Sequence, residues 1–188
     1  MDRRNVRKLI LILSVAIVSF LVTWLCRVDI DSITLANGNP AGAYINLGDI
    51  VIYIGVFVIG GPWTALACAV GSLFADIAVG SPQYIVGSLL IKGGMALFLG
   101  RYSKHCDTWK KALVVAAIAE SIMVLGYFVF NLIIRTQPVM AFHEIGYDLL
   151  QGVACGAIGM ALLRWMPLLH LRGISDRDDT VVPVSRVR

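Results

Sequence analysis

The sequence predicts an all-α, polytopic membrane protein with six transmembrane helices, and three observations carry that prediction. Hydrophobic residues make up 58% of the 188-residue chain, and the mean hydropathy is +0.80, which leaves too little polar surface for a soluble globule. Apolar runs of about 20 residues, the length that crosses roughly 30 Å of hydrocarbon, recur along the chain. Within them polar and apolar residues do not alternate, so barrel strands are excluded and helices satisfy the backbone in lipid. The expected layout is one six-helix domain over residues 1–166 and a polar cytoplasmic tail over residues 167–188.

Taken in order, the chain opens with a basic segment (Arg3, Arg4, Arg7, Lys8) before an apolar run over residues 9–26. That run exceeds the roughly 7–15 apolar residues of a signal peptide. The small triplet Ala41-Gly42-Ala43 lies far downstream of it, so a retained first helix is predicted. Residues 27–45 hold Asp29, Asp31, Asn37, Gly38, Asn39 and Pro40, a loop composition. Helix 2 is predicted over 47–60, short for a full span, and Gly61-Pro62 makes a corner with proline in the first turn of helix 3. Helix 3 (63–79) carries Ala67, Gly71 and Ala75 at the small-residue spacing of a close-packing face. Gly80-Ser81-Pro82 turns into helix 4 (83–102), and a basic loop leads to helix 5 (112–134). A turn at Thr136-Gln137-Pro138 leads to helix 6 (143–165), where Gly152, Gly156 and Gly159 form a second close-packing face.

Six helices put both termini on one side. The N-terminus, the loop with Arg101, Lys104, Lys110 and Lys111, and the tail collect nearly all Lys and Arg, whereas the other side holds only Arg27 and Arg135. By the positive-inside rule the orientation is N-in and C-in. The net charge of +4 therefore reads as topology and not as affinity for nucleic acid. Cys26, Cys68, Cys106 and Cys155 are scattered without CxxC spacing, which suggests neither a zinc site nor a disulfide framework. No metal site and no cofactor is expected.

Polar residues inside the helices mark where function resides, because such groups are costly in lipid. Tyr84, Ser88 and Lys92 fall on one face of helix 4, and Glu120, Tyr127 and Asn131 on one face of helix 5. His143, Tyr147 and Gln151 form a row on helix 6, with Glu144 and Asp148 beside it. These stripes converge on a water-accessible pocket open to the outside, suited to a flat heteroaromatic ligand held by ring contacts and a few polar groups. Blander readings stand beside this one: Lys92 as a structural ion pair with Asp49 or Asp76, Tyr84 as an interfacial residue, Glu120 as a proton relay, and His143 with Glu144 as a wet helix end. The chain has no phosphate-binding loop, no nucleophile elbow and no HExxH, so no enzymatic activity is expected.

Leu47-Gly48-Asp49 with Val51 and Tyr53, Gly61-Pro62, Gly71-Ser72, Asp76 and Gly80 form an ordered set. Tyr84, Gly87-Ser88-Leu89, Ile91-Lys92-Gly93, Glu120, Gly126-Tyr127 and Gln151-Gly152 continue it. Together they resemble the substrate-binding (S) component of energy-coupling factor (ECF) vitamin transporters, in the riboflavin, hydroxymethylpyrimidine and pyridoxine branch. The resemblance implies a six-helix subunit of a prokaryotic plasma membrane that captures a vitamin-like ligand at its outer face. A B6- or hydroxymethylpyrimidine-like ligand is favoured, with riboflavin possible. It also implies a transmembrane coupling (T) subunit and two ATPases as partners, toppling of the S component in the bilayer, and helices 1 to 3 as the docking side. The family's Ala-xxx-Ala docking pattern on helix 1 has no clean match here; Val15, Ser19 and Thr23, or Ala16 with Phe20, stand nearest. Two rival readings stay open: a self-sufficient proton-coupled transporter using Glu120 or Asp76, and a structural or assembly protein whose polar stripes only pack the bundle.

Overall fold

A computed structural model of the chain describes residues 3–29, 44–134 and 138–166. Within them lie six α-helices: α1 (Arg3–Leu25), α2 (Gly48–Val58), α3 (Gly61–Ala78), α4 (Ile85–Tyr102), α5 (Trp109–Ile134) and α6 (Pro138–Trp165). Five segments, Asn5–Leu25, Gly61–Ala78, Pro82–His105, Trp109–Ile134 and Ala141–Trp165, are long and apolar enough to cross a membrane. The exception is α2, whose 11 residues extend only about 16 Å.

Element by element, the structure departs from expectation at a few points. Part of the 27–45 loop is ordered as strands β1 (Arg27–Asp29) and β2 (Tyr44–Asn46), which pair antiparallel with Arg27 opposite Asn46. Tyr, Ile and Val suit such a pair, but three residues per strand are too few to show alternation. A 3₁₀ turn, Pro82–Tyr84, precedes α4, and α6 starts at Pro138 instead of residue 143, since proline fits a first helical turn. The remainder of that loop, Arg135 with the Thr136-Gln137 turn, and the tail lie outside the described residues.

The packing explains how α2 tolerates its position. It touches α1, α3, α4 and α6, and seven of its residues, Gly48, Asp49, Val51, Ile52, Tyr53, Gly55 and Val56, are buried. Around it, α3 lies along both α1 and α4, and α5 lies along α6. Small residues allow this closeness, because without a hydrophobic drive between helices in lipid, association depends on backbone approach. A Cβ on Gly71 would sit 2.6 Å from the Ala16 carbonyl oxygen and 2.7 Å from Ser19 Cβ. Gly61 and Gly100 bring α3 and α4 together, with a Gly61 Cβ falling 2.8 Å from Gly100 Cα. The α2–α3 corner turns on Gly60, whose φ of 82° a side chain would resist. On α6, Gly152 and Gly156 lie against Glu120 of α5, and Gly159 lies against the Tyr53 ring of α2.

These contacts order the two ends of the bundle. The start of α1, the α4–α5 connection and the end of α6 lie at one end with Arg3, Arg7, Lys8, Arg101, Lys104, Lys110, Lys111 and Arg164. Lys8 rests over the Trp63 ring, 4.6 Å from its centroid, which ties the α2–α3 corner to that same end. The strand pair, the start of α2 and the α3–α4 turn occupy the other end.

Gly71→Val should pry α1 from α3, with overpacking of this kind costing roughly 1–3 kcal/mol. Thermal unfolding of the detergent-solubilised variant checks this. Gly93→Ala is the control, since nothing lies within 4 Å of a Cβ there, and its melting temperature should match or exceed the parent's.

Candidate functional site

At the end opposite the basic residues, polar side chains from five segments meet. The floor is built around Asp49, in the first turn of α2, where the helix dipole favours a negative group. Lys92 of α4 faces it, Nζ to Oδ1 at 3.5 Å, with side chains 2% and 0% exposed. Gln151 of α6 donates through Nε2 to Asp49 Oδ2 at 2.6 Å and accepts the Asn46 backbone N–H through Oε1 at 2.7 Å. Asn46 Oδ1 in turn accepts the Gly48 N–H at 2.8 Å and lies 3.5 Å from Lys92 Nζ. Buried charges persist when paired and hydrogen-bonded, and this set links β2, α2, α4 and α6 through one network.

Above this floor a cavity of about 50 Å³ is lined by Tyr44, Asn46, Asp76, Tyr84, Ser88, Tyr127, Asn131, Glu144, Tyr147, Asp148 and Gln151. It is narrow, with room for a few waters, so a ring system enters only by displacing lining side chains. Tyr44 donates its hydroxyl to Asp76 Oδ1 at 2.6 Å. Burial and the neighbouring Asp76 push the Tyr44 hydroxyl well above its ordinary pKa, which keeps it a donor. Ser88 Oγ and Tyr127 Oη share a hydrogen bond of 3.0 Å, and Asn131 Nδ2 donates to Glu144 Oε2 at 2.6 Å. The Tyr84 ring is tilted against Tyr127 and Phe130, with centroids 6.5 and 6.1 Å away.

Six of the residues singled out in the sequence therefore share one cavity: Tyr84, Ser88, Tyr127, Asn131, Tyr147 and Gln151. Three do not line it. Lys92 lies one turn deeper in α4 and forms the ion pair with Asp49, not with Asp76. Glu120 lies two turns deeper in α5, where Oε1 accepts the Tyr53 hydroxyl at 2.9 Å and its stem borders an apolar groove between α5 and α6. His143 is exposed. The lining face of α6 runs through Glu144, Tyr147, Asp148 and Gln151, an i, i+3, i+4, i+7 set shifted from the row that included His143. Tyr84 is 8% exposed and turns inward against Tyr127 and Phe130. Tyr44 and Asn46 had no signal in the sequence beyond their place just before Gly48-Asp49, because only the strand pairing carries them over the pocket.

On α1, Ser19 and Thr23 are 0% and 1% exposed. Both face the bundle, against Gly71 and Gly48, so that small-residue row serves internal packing.

Residues 6–167 match the family model described as "ECF-type riboflavin transporter, S component". The chain belongs to that family. A protein of Pyrococcus woesei, described as "Uncharacterized protein in gap 3'region", is 33% identical over 120 residues, covering 63% of this chain and 79% of that protein. No solved structure matches. As an S component the chain is a membrane-embedded substrate-binding subunit of an ECF transporter, a transport family and not an enzyme family.

For this S component the floor is testable on its own. Lys92→Met should destabilise by about 3–5 kcal/mol, because Asp49 is left buried without its partner. The double variant Lys92→Met/Asp49→Asn should recover most of that loss in the same thermal assay. A double variant no more stable than Lys92→Met would disprove the pairing as the source of the effect.

Proposed function

We propose that this chain captures a small, flat, vitamin-like ligand in the pocket above Asp49 and Gln151 and delivers it inward with a T subunit and two ATPases. The observation that carries the reading is the gathering of four tyrosines and a set of polar side chains from α3, α4, α5 and α6 at one end of the bundle. That pocket lies opposite the basic end, and by the positive-inside rule the basic end is cytoplasmic. The orientation is then N-in and C-in, the pocket faces outward, and α2 serves as a short sixth crossing wrapped by its neighbours. The tail over residues 167–188 lies on the cytoplasmic side of a single domain, in the plasma membrane of a prokaryote.

The substrate is a heteroaromatic micronutrient, B6- or hydroxymethylpyrimidine-like in preference to the riboflavin of the family's name. Tyrosine faces supply ring contacts, and the polar lining fixes orientation. The α1–α3 side fits a coupling subunit: exposed Leu13, Ile17 and Phe74 border a shallow apolar groove with Ala16, Phe20 and Gly71, a surface suited to close helix docking. The rival proton-coupled mechanism would use Asp76 or Glu120, yet each accepts a bond from a tyrosine hydroxyl, an arrangement suited to structure or ligand positioning.

Calorimetric titration of the purified chain with B vitamins and their precursors should give saturable binding at nanomolar to low micromolar concentration. Tyr127→Ala should weaken it about tenfold, the scale of a lost aromatic contact. In proteoliposomes, uptake should need the T subunit, both ATPases and ATP. Uptake by this chain alone, driven by a proton gradient, would overturn the reading in favour of a secondary transporter; a well-folded sample that binds nothing would favour a structural role.

A further inference from the structure

Among the buried lining atoms that lack a partner in the described residues, the hydrogen-bonding capacity left over is of one kind. Gln151 has both ends engaged, on Asn46 and Asp49. The Tyr44 hydroxyl is donated to Asp76, and the Asn131 amide donates to Glu144. Asp76 Oδ2, Asn131 Oδ1 and Asp148 Oδ2 are buried atoms of the lining that carry no hydrogen-bond partner among the described residues. All are acceptors. Asp76 and Asn131 are 1% and 2% exposed, so bulk water does not readily satisfy these atoms, and a bound molecule that brings donors would.

Charge points the same way. Asp76, Glu144 and Asp148 line the cavity, whereas no Lys or Arg does among the described residues. Lys92 is held below by Asp49. A phosphate or carboxylate entering here would meet like charge at close range, with no lining cation among the described residues to receive it. A cationic ring would meet carboxylates and the faces of Tyr84, Tyr127 and Tyr147, which attract positive charge through their quadrupoles.

We infer that the pocket selects a heteroaromatic amine or a ring cation, with Asp76 and Asp148 as the specificity-determining acceptors, and rejects phosphorylated or carboxylated ring compounds. This rests on the pocket being the ligand site, and the closing experiment separates the two ideas. The family name points to a neutral flavin; the lining points to a smaller, donor-rich molecule.

The test is calorimetry on the detergent-purified full chain with a matched set of probes. Pyridoxamine and the amino form of hydroxymethylpyrimidine carry the amine, pyridoxine and riboflavin are neutral, and pyridoxal phosphate is anionic. The amines should bind at least about tenfold more tightly than pyridoxine, the scale of a charge-assisted hydrogen bond, and pyridoxal phosphate should give no saturable heat. Asp148→Asn should erase that advantage, so that the amines bind no more tightly than pyridoxine. Asp76→Asn is the parallel variant, and because it also touches Tyr44, Asp148→Asn decides if Asp76→Asn fails to fold. Pyridoxine or riboflavin binding as tightly as the amines, unaffected by Asp148→Asn, would overturn the inference and leave the pocket standing as the site. Failure of every probe, riboflavin included, with a folded sample would overturn both.

Discussion

Four elements meet at the carboxylate of Asp49, and the pocket stands on that meeting. Lys92 comes from α4, Gln151 from α6 and Asn46 from β2, each within hydrogen-bonding or ion-pair distance of another member of the set. Isolated, either charge would be expensive inside a bilayer; together, and hydrogen-bonded, they fix the register of α2 against α4 and α6. The cost of leaving any one member unpaired makes the arrangement strict. Replacing the set by apolar residues of like volume would keep a bundle, but β2 would lose its tie to Gln151 and keep only the strand pairing and the Tyr44–Asp76 bond to hold it over the cavity.

Two kinds of contact divide the molecule. Away from the pocket, glycine and alanine let backbones touch, at Gly71 with Ala16 and at Gly61 with Gly100. Around the pocket the side chains are long and polar, and they hold the helices apart around open volume. Rigid close packing on one side and a polar opening on the other is what a binding subunit needs if the ligand is to be recognised by a few fixed atoms. The glycine face of α6 serves the first kind of contact, since Gly152, Gly156 and Gly159 admit Glu120 and Tyr53 into the interior. That is why Glu120, polar and mid-helix, belongs to the frame and not to the lining.

Much of this was legible in the sequence because lipid makes polar residues conspicuous. The rows on α4 and α5 placed Tyr84, Ser88, Tyr127 and Asn131 together, and the basic segments marked one end. Helical spacing gives a face but not its depth, so Lys92 and Glu120 were grouped with residues one or two turns above them. On α6 the choice between neighbouring faces was ambiguous: His143 and Glu144 differ by one position, and only the partner across the helix pair, Asn131 bonded to Glu144, decides which turns inward. Tyr44 and Asn46 were invisible for a different reason. They reach the pocket through a strand pairing of three residues, too short to leave a periodic trace, in a stretch whose composition reads as loop.

The brevity of α2 has a consequence for how the molecule is made. A helix of 11 residues cannot halt a translocating chain alone, since insertion needs nearer 20 apolar residues. It leans on the helix that follows, α3, joined to it at Gly60, and its Asp49 is made before Lys92. The carboxylate meets its lysine only when α4 arrives, and Gln151, 102 residues further along, closes the set last. The cavity and its floor are thus products of the finished polypeptide, and a nascent chain lacking α6 would be a membrane protein without this pocket.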